Sequence, residues 1–346
     1  MKKWLAIVAA VLVLAACSEK EETKEHEEKE TVEVEKETPE VEESSNRFPL
    51  SGIQTDNEIT GRSIAAVINN HPLARPQSGL HQADIVYELL AEGDVTRFLA
   101  IFQSEHPDKI GPVRSARDYH IEIAKGFDSF FVAHGYSPDA KNMLENGYID
   151  HINGMEYDGT LFKRASFRKA PHNSYTTYEN ILKGAEKTKA TMDEAPDSFE
   201  FFTETEAEKS SGREAAAVSV AYGSPAFEVT YEFNEAEKKY ERYSGGELTA
   251  DLETEAPVLL DNILILEVDH RVIDNSGRRE LNLASGGKGL LVQKGIVTDI
   301  DWENVDGRLV PMLNGSEAKL VPGKTWVNIM PANPGIEQSV SIGEDS

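Results

Sequence analysis

Ile85-Val86-Tyr87-Glu88-Leu89-Leu90 and Thr96-Arg97-Phe98-Leu99-Ala100-Ile101-Phe102 flank Glu92-Gly93-Asp94. Two runs rich in β-branched and aromatic residues around a short Gly-containing turn read as a β-hairpin. Upstream, Ser63-Ile64-Ala65-Ala66-Val67-Ile68 is a compact apolar strand followed by a loop containing Pro, Asn and Gly. Downstream, Val113, Ala116, His120, Ile123 and Phe127 recur at spacings of three and four, which predicts a helix from about Val113 with Gly126 as its stop. Phe130-Phe131-Val132-Ala133 is a further buried strand. It leads into Ser137-Pro138-Asp139, where Ser caps a helix and Pro suits its first position. A last helix starts near the capping box formed by Thr176 and Glu179. This alternation predicts a mixed-sheet α/β domain over residues 48–190.

The stretch 191–212 is acidic, carries Pro196, ends in Ser210-Ser211-Gly212, and reads as a linker. Beyond it, β-rich runs at 217–222, 227–233, 263–268, 290–293, 296–302 and 325–330 are punctuated by Gly245-Gly246, Gly286-Gly287, Gly307, Gly315 and Gly323. That pattern predicts a smaller, mostly antiparallel β domain over residues 213–332, followed by a tail at 333–346.

The N-terminus has a different chemistry. Lys2-Lys3, the apolar run from Leu5 to Leu14 and Ala15-Ala16 before Cys17 have the three-part layout of a secretory signal, here a lipoprotein signal over residues 1–17. A membrane span needs about 18 or more apolar residues, and this run turns charged at Ser18-Glu19-Lys20. Acylation of Cys17 with two or three chains would hold the mature protein on the extracytoplasmic face of the cell membrane. Cys17 is the single cysteine, which excludes an intrachain disulfide, a Cys nucleophile and a thiolate metal site. Residues 18–46 hold 13 Glu and 4 Lys and few large apolar side chains, so 18–47 reads as an acidic, solvated tether. A net charge of −26 also disfavours nucleic acid as a partner. Outside the cytosol ATP and reduced nicotinamides are scarce, which lowers the case for kinases, ATPases and dehydrogenases.

Familiar catalytic motifs fail on context. Gly323-Lys324-Thr325 resembles the end of a P-loop, but the first Gly position is Ala318 and the chain continues as strand. Ser316 and Lys319 have Ser-x-x-Lys spacing within a hairpin rather than a helix. Asp299, Asp301 and Glu303 begin like a calcium loop, yet Asn304 and Val310 occupy its Gly and bidentate Glu positions. No cofactor or metal is expected.

What remains is Gly111-Pro112-Val113-Arg114-Ser115-Ala116-Arg117-Asp118, which would place Arg114 and Arg117 on one face at a helix N-terminus. Cations there oppose the helix dipole, so something must compensate. Two readings stand: a bound anion, or ion pairs to Asp84, Glu88 or Asp118. Arg114 is expected to serve ion pairs, and Arg117 to face a ligand. Seven of the nine histidines, His71, His81, His106, His120, His134, His151 and His172, fall in the first domain, several of them at strand ends where α/β domains build sites.

The motifs 74–80, 83–88, 93–98 and 111–117, together with Ala170-Pro171-His172-Asn173, resemble the YerB-like family of bacterial lipoproteins. The resemblance extends over residues 64–331. It implies an α/β domain joined to a smaller β domain, a lipid anchor and a Gram-positive cell surface; it implies no reaction. The expected function is an extracytoplasmic binding or adaptor module of the cell envelope. Its anion site would comprise Arg97, Arg114, Arg117, His172 and Asn173, and its partner would be a cell-wall polymer or an envelope protein. The alternative is an envelope hydrolase or transferase in which His172 or His134 acts as base, Asp84 or Glu88 orients it, and the arginines stabilise negative charge.

Overall fold

A computed structural model describes residues 46–203, 206 and 212–343. Cys17 and almost all of the tether lie outside the described residues. Asn46–Arg47, assigned above to the tether, already pairs with Gln54–Thr55.

The principal elements in chain order are β1 (Ile64–Asn69), β2 (Ile85–Glu92), β3 (Val95–Phe102), α1 (Asp118–Gly126), β4 (Phe130–Ala133), α2 (Pro138–Glu145), β5 (His151–Asn153) and α3 (Tyr178–Thr188). Then follow β6 (Ala217–Val220), β7 (Val229–Asn234), β8 (Lys239–Ser244), β9 (Asn262–Val268), β10 (Gly287–Gln293), β11 (Ile296–Val305), β12 (Arg308–Leu313), β13 (Thr325–Pro331) and β14 (Val340–Gly343).

The hairpin β2–β3 forms as its sequence requires, closing at Glu92↔Val95 around Gly93 in the left-handed region. It lies inside a twelve-stranded sheet that runs Ser316–Glu317, β12, β11, β10, β9, β13, β2, β3, β1, β4, β5, with Arg213–Glu214 pairing β11 off this path. Strand β13 pairs in parallel with both β9 and β2. The two sequence halves are therefore joined edge to edge through a single sheet. The described residues form one compact unit.

Alternation along β1 shows how the sheet is covered on both faces. Ile64, Ala66 and Ile68 enter one core with Ile181, Val218, Tyr231 and Tyr240, beneath α3 and a six-stranded antiparallel sheet built on β6, β7 and β8. Ala65 and Val67 enter the other core with Ile121, Ile123, Ala140 and Leu144 of α1 and α2. Both cores are built of aliphatic and aromatic side chains, which is why the inner strands read as continuous apolar runs.

Three sequence expectations are corrected. First, the 191–212 linker is packed along residues 192–202: Phe199 is buried and stacks under Arg308, and Phe201 bridges Leu320. Its aromatic side chains override its acidic composition. Second, the expected tail contributes β14, which pairs with β6 from Ala217↔Gly343 to Val220↔Val340. Third, α1 begins at Asp118 rather than near Val113, with Arg117 as its N-cap. Residues 112–116 are held out of the helix by the sheet. The Asn69 amide donates to the Pro112 carbonyl, Arg114 N–H to Val67, His134 N–H to Arg114, and Ala116 N–H to Gly135. Arg114 and Arg117 consequently do not share a helical face.

Candidate functional site

Strands β1, β4 and β5 run parallel, so their carboxyl ends open at one edge. The extended segment 112–116 is wedged between the ends of β1 and β4. Such a splayed end of a parallel sheet is where α/β folds place ligands. Here it gathers His71 after β1, Arg114 and Ser115 from the wedge, His134 and Gly135 after β4, and Gly154 and Met155 after β5. The loop 163–173 closes over it with Arg164, Arg168, Pro171 and His172. A pocket of about 210 Å³ lies between Arg114, His134, Met155, Arg164 and Pro171.

Arg114 is half-buried there, and its guanidinium makes no hydrogen bond or ion pair among the described residues. Burial, reinforced by the charge of Arg97, lowers its pKa to about 10. Beside it, Arg164 donates to His134 Nε2 at 2.7 Å, pairs with Asp158 at 3.0 Å and reaches Asn173 Oδ1 at 3.3 Å. Because a guanidinium only donates, His134 Nε2 is an acceptor. The proton therefore sits on Nδ1 and is donated to Ser174 Oγ at 2.7 Å. Burial first, then Arg164 and Arg114, hold the His134 pKa down to about 4. The imidazole fits only because residue 154 is Gly: a Cβ there would stand 2.0 Å from His134 Nδ1.

His172 stacks on His71 with ring centroids 4.5 Å apart, and its Nδ1 accepts from Asn69 Nδ2 at 2.9 Å. Burial lowers both histidines. For His71 the charge of Arg75 adds to this, and for His172 the adjacent His71 does, with Arg114 acting on both. Arg168 donates to Tyr175 Oη at 2.6 Å and to the Pro76 carbonyl at 2.8 Å, with no carboxylate partner among the described residues. The cluster is thus cationic in a strongly acidic protein, with Asp158 as its one paired carboxylate. The three most exposed large apolar side chains among the described residues, Leu73 (67%), Met155 (62%) and Phe167 (59%), rise from the same loops.

The other sequence candidates have internal partners. Arg97 donates two bonds of 2.8 Å to the Glu92 carboxylate and one to the Ser115 carbonyl, and Arg117 pairs with the same carboxylate. The expected roles are reversed: Arg117 serves an ion pair and Arg114 is the open cation. Asn173 binds the backbone of Ala165 and Arg168 and so shapes the loop. Asp84 accepts from Gln103 N, Ser104 N and Ser104 Oγ, while Glu88 pairs with Arg242 at 2.7 Å and accepts from Thr96 and Asn70. Neither carboxylate touches His134 or His172. With Nδ1 already protonated and Nε2 occupied by Arg164, His134 has no lone pair to take the Ser174 proton. Among the described residues no carboxylate orients His134 or His172.

Arg164, Arg168 and Ser174 were not singled out from the sequence. A signal existed: four of the seven residues at 163–169 are basic, in a chain of net charge −26.

Two family models match, the N-terminal domain of DUF3048, a protein of unknown function, over residues 50–191, and its C-terminal domain over residues 218–327. The chain is 44% identical to the "Putative lipoprotein YerB" of Bacillus subtilis (strain 168), over 96% of each chain. The crystal structure of the Bacillus subtilis YerB protein superposes with a TM-score of 0.80 at 47% identity, covering 86% of this chain and all of that one. With both models in order and near full-length identity to YerB, the chain belongs to the DUF3048 family of YerB-like lipoproteins.

Proposed function

We propose that the protein is an adaptor anchored through Cys17 on the extracytoplasmic face of the membrane, which captures an anionic group of an envelope component at Arg114. The observation that carries this reading is the guanidinium of Arg114: half-buried, unpaired among the described residues, and set at the splayed end of a parallel sheet between Arg164 and the His71–His172 stack. A desolvated cation without a partner is costly, and an incoming carboxylate or phosphate relieves that cost. Neutral His134 helps by fixing Arg164 without contributing charge. The exposed Leu73, Met155 and Phe167 give the anion's carrier an apolar surface to lie on. This favours an acidic segment of an envelope protein over a bare ion.

The test is calorimetry on the full-length protein in detergent, with inorganic phosphate and an acidic peptide containing Leu and Phe as probes. Arg114→Gln should lower affinity for both by about tenfold or more, the scale of one charge-assisted contact, while leaving the melting temperature within a degree or two. Unchanged binding by Arg114→Gln, or failure of either probe to bind the wild type, would defeat the reading.

A further inference from the structure

A larger pocket, of about 500 Å³, lies on the other side of the 70–77 loop, where that loop meets β8 and the turn after it. Asn70, Arg75 and Pro76 line it from the N-terminal half, and Ser244, Leu248 and Ala250 from the C-terminal half. Its volume is in the range that holds small molecules, and Pro72, Pro76, Ala226, Leu248 and Ala250 give it an apolar part beside its polar and charged lining.

Arg75 is the unusual residue. Its Nε donates to the Asn70 carbonyl at 3.1 Å and to Asn70 Oδ1 at 3.0 Å, and its Nη1 reaches the Ser244 carbonyl at 3.4 Å. Its Nη2 is buried and has no hydrogen-bond partner among the described residues. Ser244 Oγ, buried at the same seam, has none either. Four other deeply placed arginines pair with carboxylates, Arg62 with Asp128 and Asp150, Arg97 and Arg117 with Glu92, and Arg242 with Glu88, while Arg308 donates to the Asp197 and Ser198 carbonyls. Arg75 has no carboxylate among the described residues and leans instead on the Phe227 ring at 5.3 Å. Among the twelve buried side-chain polar atoms without a hydrogen-bond partner in the described residues, three belong to residues that line this one pocket, Arg75 Nη2, Arg242 Nε and Ser244 Oγ, and the two from different halves of the chain, Arg75 Nη2 and Ser244 Oγ, point to a shared acceptor.

We propose that this pocket is a ligand site for a small carboxylate with an apolar body. The carboxylate would accept from Arg75 Nη2 and Ser244 Oγ, with the body against Pro76, Leu248 and Ala250. Glu247, also in the lining, disfavours a second negative charge, which selects a monoanion over a phosphate dianion. The site is independent of the Arg114 reading, since the two guanidinia serve different pockets.

The probes are hexanoate, 4-phenylbutyrate and the neutral 4-phenylbutyramide, titrated calorimetrically into the full-length protein in detergent. At least one carboxylate should bind saturably, with 4-phenylbutyrate about tenfold tighter than its amide. Ser244→Ala should weaken carboxylate binding about fivefold, the scale of one hydrogen bond. Arg75→Lys should weaken it further, because an ammonium cannot keep the Asn70 bonds and reach the ligand together. Arg114→Gln should leave unchanged the binding component that Ser244→Ala weakens. No saturable carboxylate binding, equal binding of the amide, wild-type affinity in Ser244→Ala, or loss of that component in Arg114→Gln would each overturn the proposal; should Arg75→Lys unfold, Ser244→Ala alone decides it.

Discussion

His134 illustrates how one residue sets the chemistry of its surroundings. Between Arg164 and Ser174 it has one acceptor and one donor role, both filled, and its pKa of about 4 keeps it neutral at physiological pH. An unfolded chain protonates the same imidazole near pH 6.5. Below that value the unfolded state binds the extra proton, so the stability due to neutral His134 is present above about pH 6.5 and is lost as pH falls toward 4. His270, with a pKa also of about 4, and His120, held well below its ordinary value by burial, act in the same direction. We predict that His134→Gln, whose amide can accept from Arg164 and donate to Ser174, flattens part of this slope. Melting temperature against pH from 7 to 4 checks it; a slope equal to wild type would contradict the assignment. The sequence located His134 by its strand-end position but not its tautomer, because Arg164 is thirty residues away and only folding brings the two together. The reversal between Arg114 and Arg117 has the same origin: the partner that decides it, Glu92, closes the hairpin and carries no local mark of facing two arginines.

At the scale of elements, the hairpin, β1, β4 and the Ser137-capped α2 were all legible, because their signals are local: apolar runs, a turn glycine, a capping hydroxyl followed by Pro. The start of α1 was not. Val113 and Ala116 have helical spacing to His120 and Ile123, yet their N–H groups donate to the carbonyls of Ser174 and Gly135. Tertiary hydrogen bonds decide between two conformations that the pattern leaves equivalent. Burial of charge was also invisible. Glu88 on β2 and Arg242 on β8 are both fully buried and 2.7 Å apart, with Arg242 stacked on Trp326 at 4.2 Å and Glu88 accepting from Thr96, Asn70 and the Trp326 indole. We predict that Arg242→Met costs roughly 3–5 kcal/mol, since it strands a buried carboxylate. Adding Glu88→Gln should recover part of that loss, because the amide no longer carries charge while still meeting Thr96. Urea denaturation of both single variants and the double variant measures the coupling; a double variant whose loss equals the sum of the singles would mean the pair does not interact.

Across the whole molecule, the matched family ranges, residues 50–191 and 218–327, fall on either side of the composition shift near residue 200, so the halves are distinct as sequences. As a structure they share a sheet. Strand β13 donates and accepts on both sides, pairing Thr325↔Ile85 through Asn328↔Glu88 with β2 and the whole of β9 on its other edge. Strand β2 is buried from Ile85 to Ala91 and would become a long, uncovered edge if β13 were removed. The Glu88–Arg242 pair would be broken at the same cut, as would the contact of Phe98 with Trp326 at 5.0 Å. Each loss alone is of the order that unfolds a marginal domain. We therefore predict that a fragment of residues 46–203, expressed without its C-terminal partner, does not fold cooperatively and aggregates through β2. Coexpression with residues 212–343 should restore a soluble complex with the intact protein's amide protection on β1, β2 and β3. A fragment that melts in a single sharp transition on its own, with protected β2 amides, would show that the sheet is a contact between autonomous domains and not their common core.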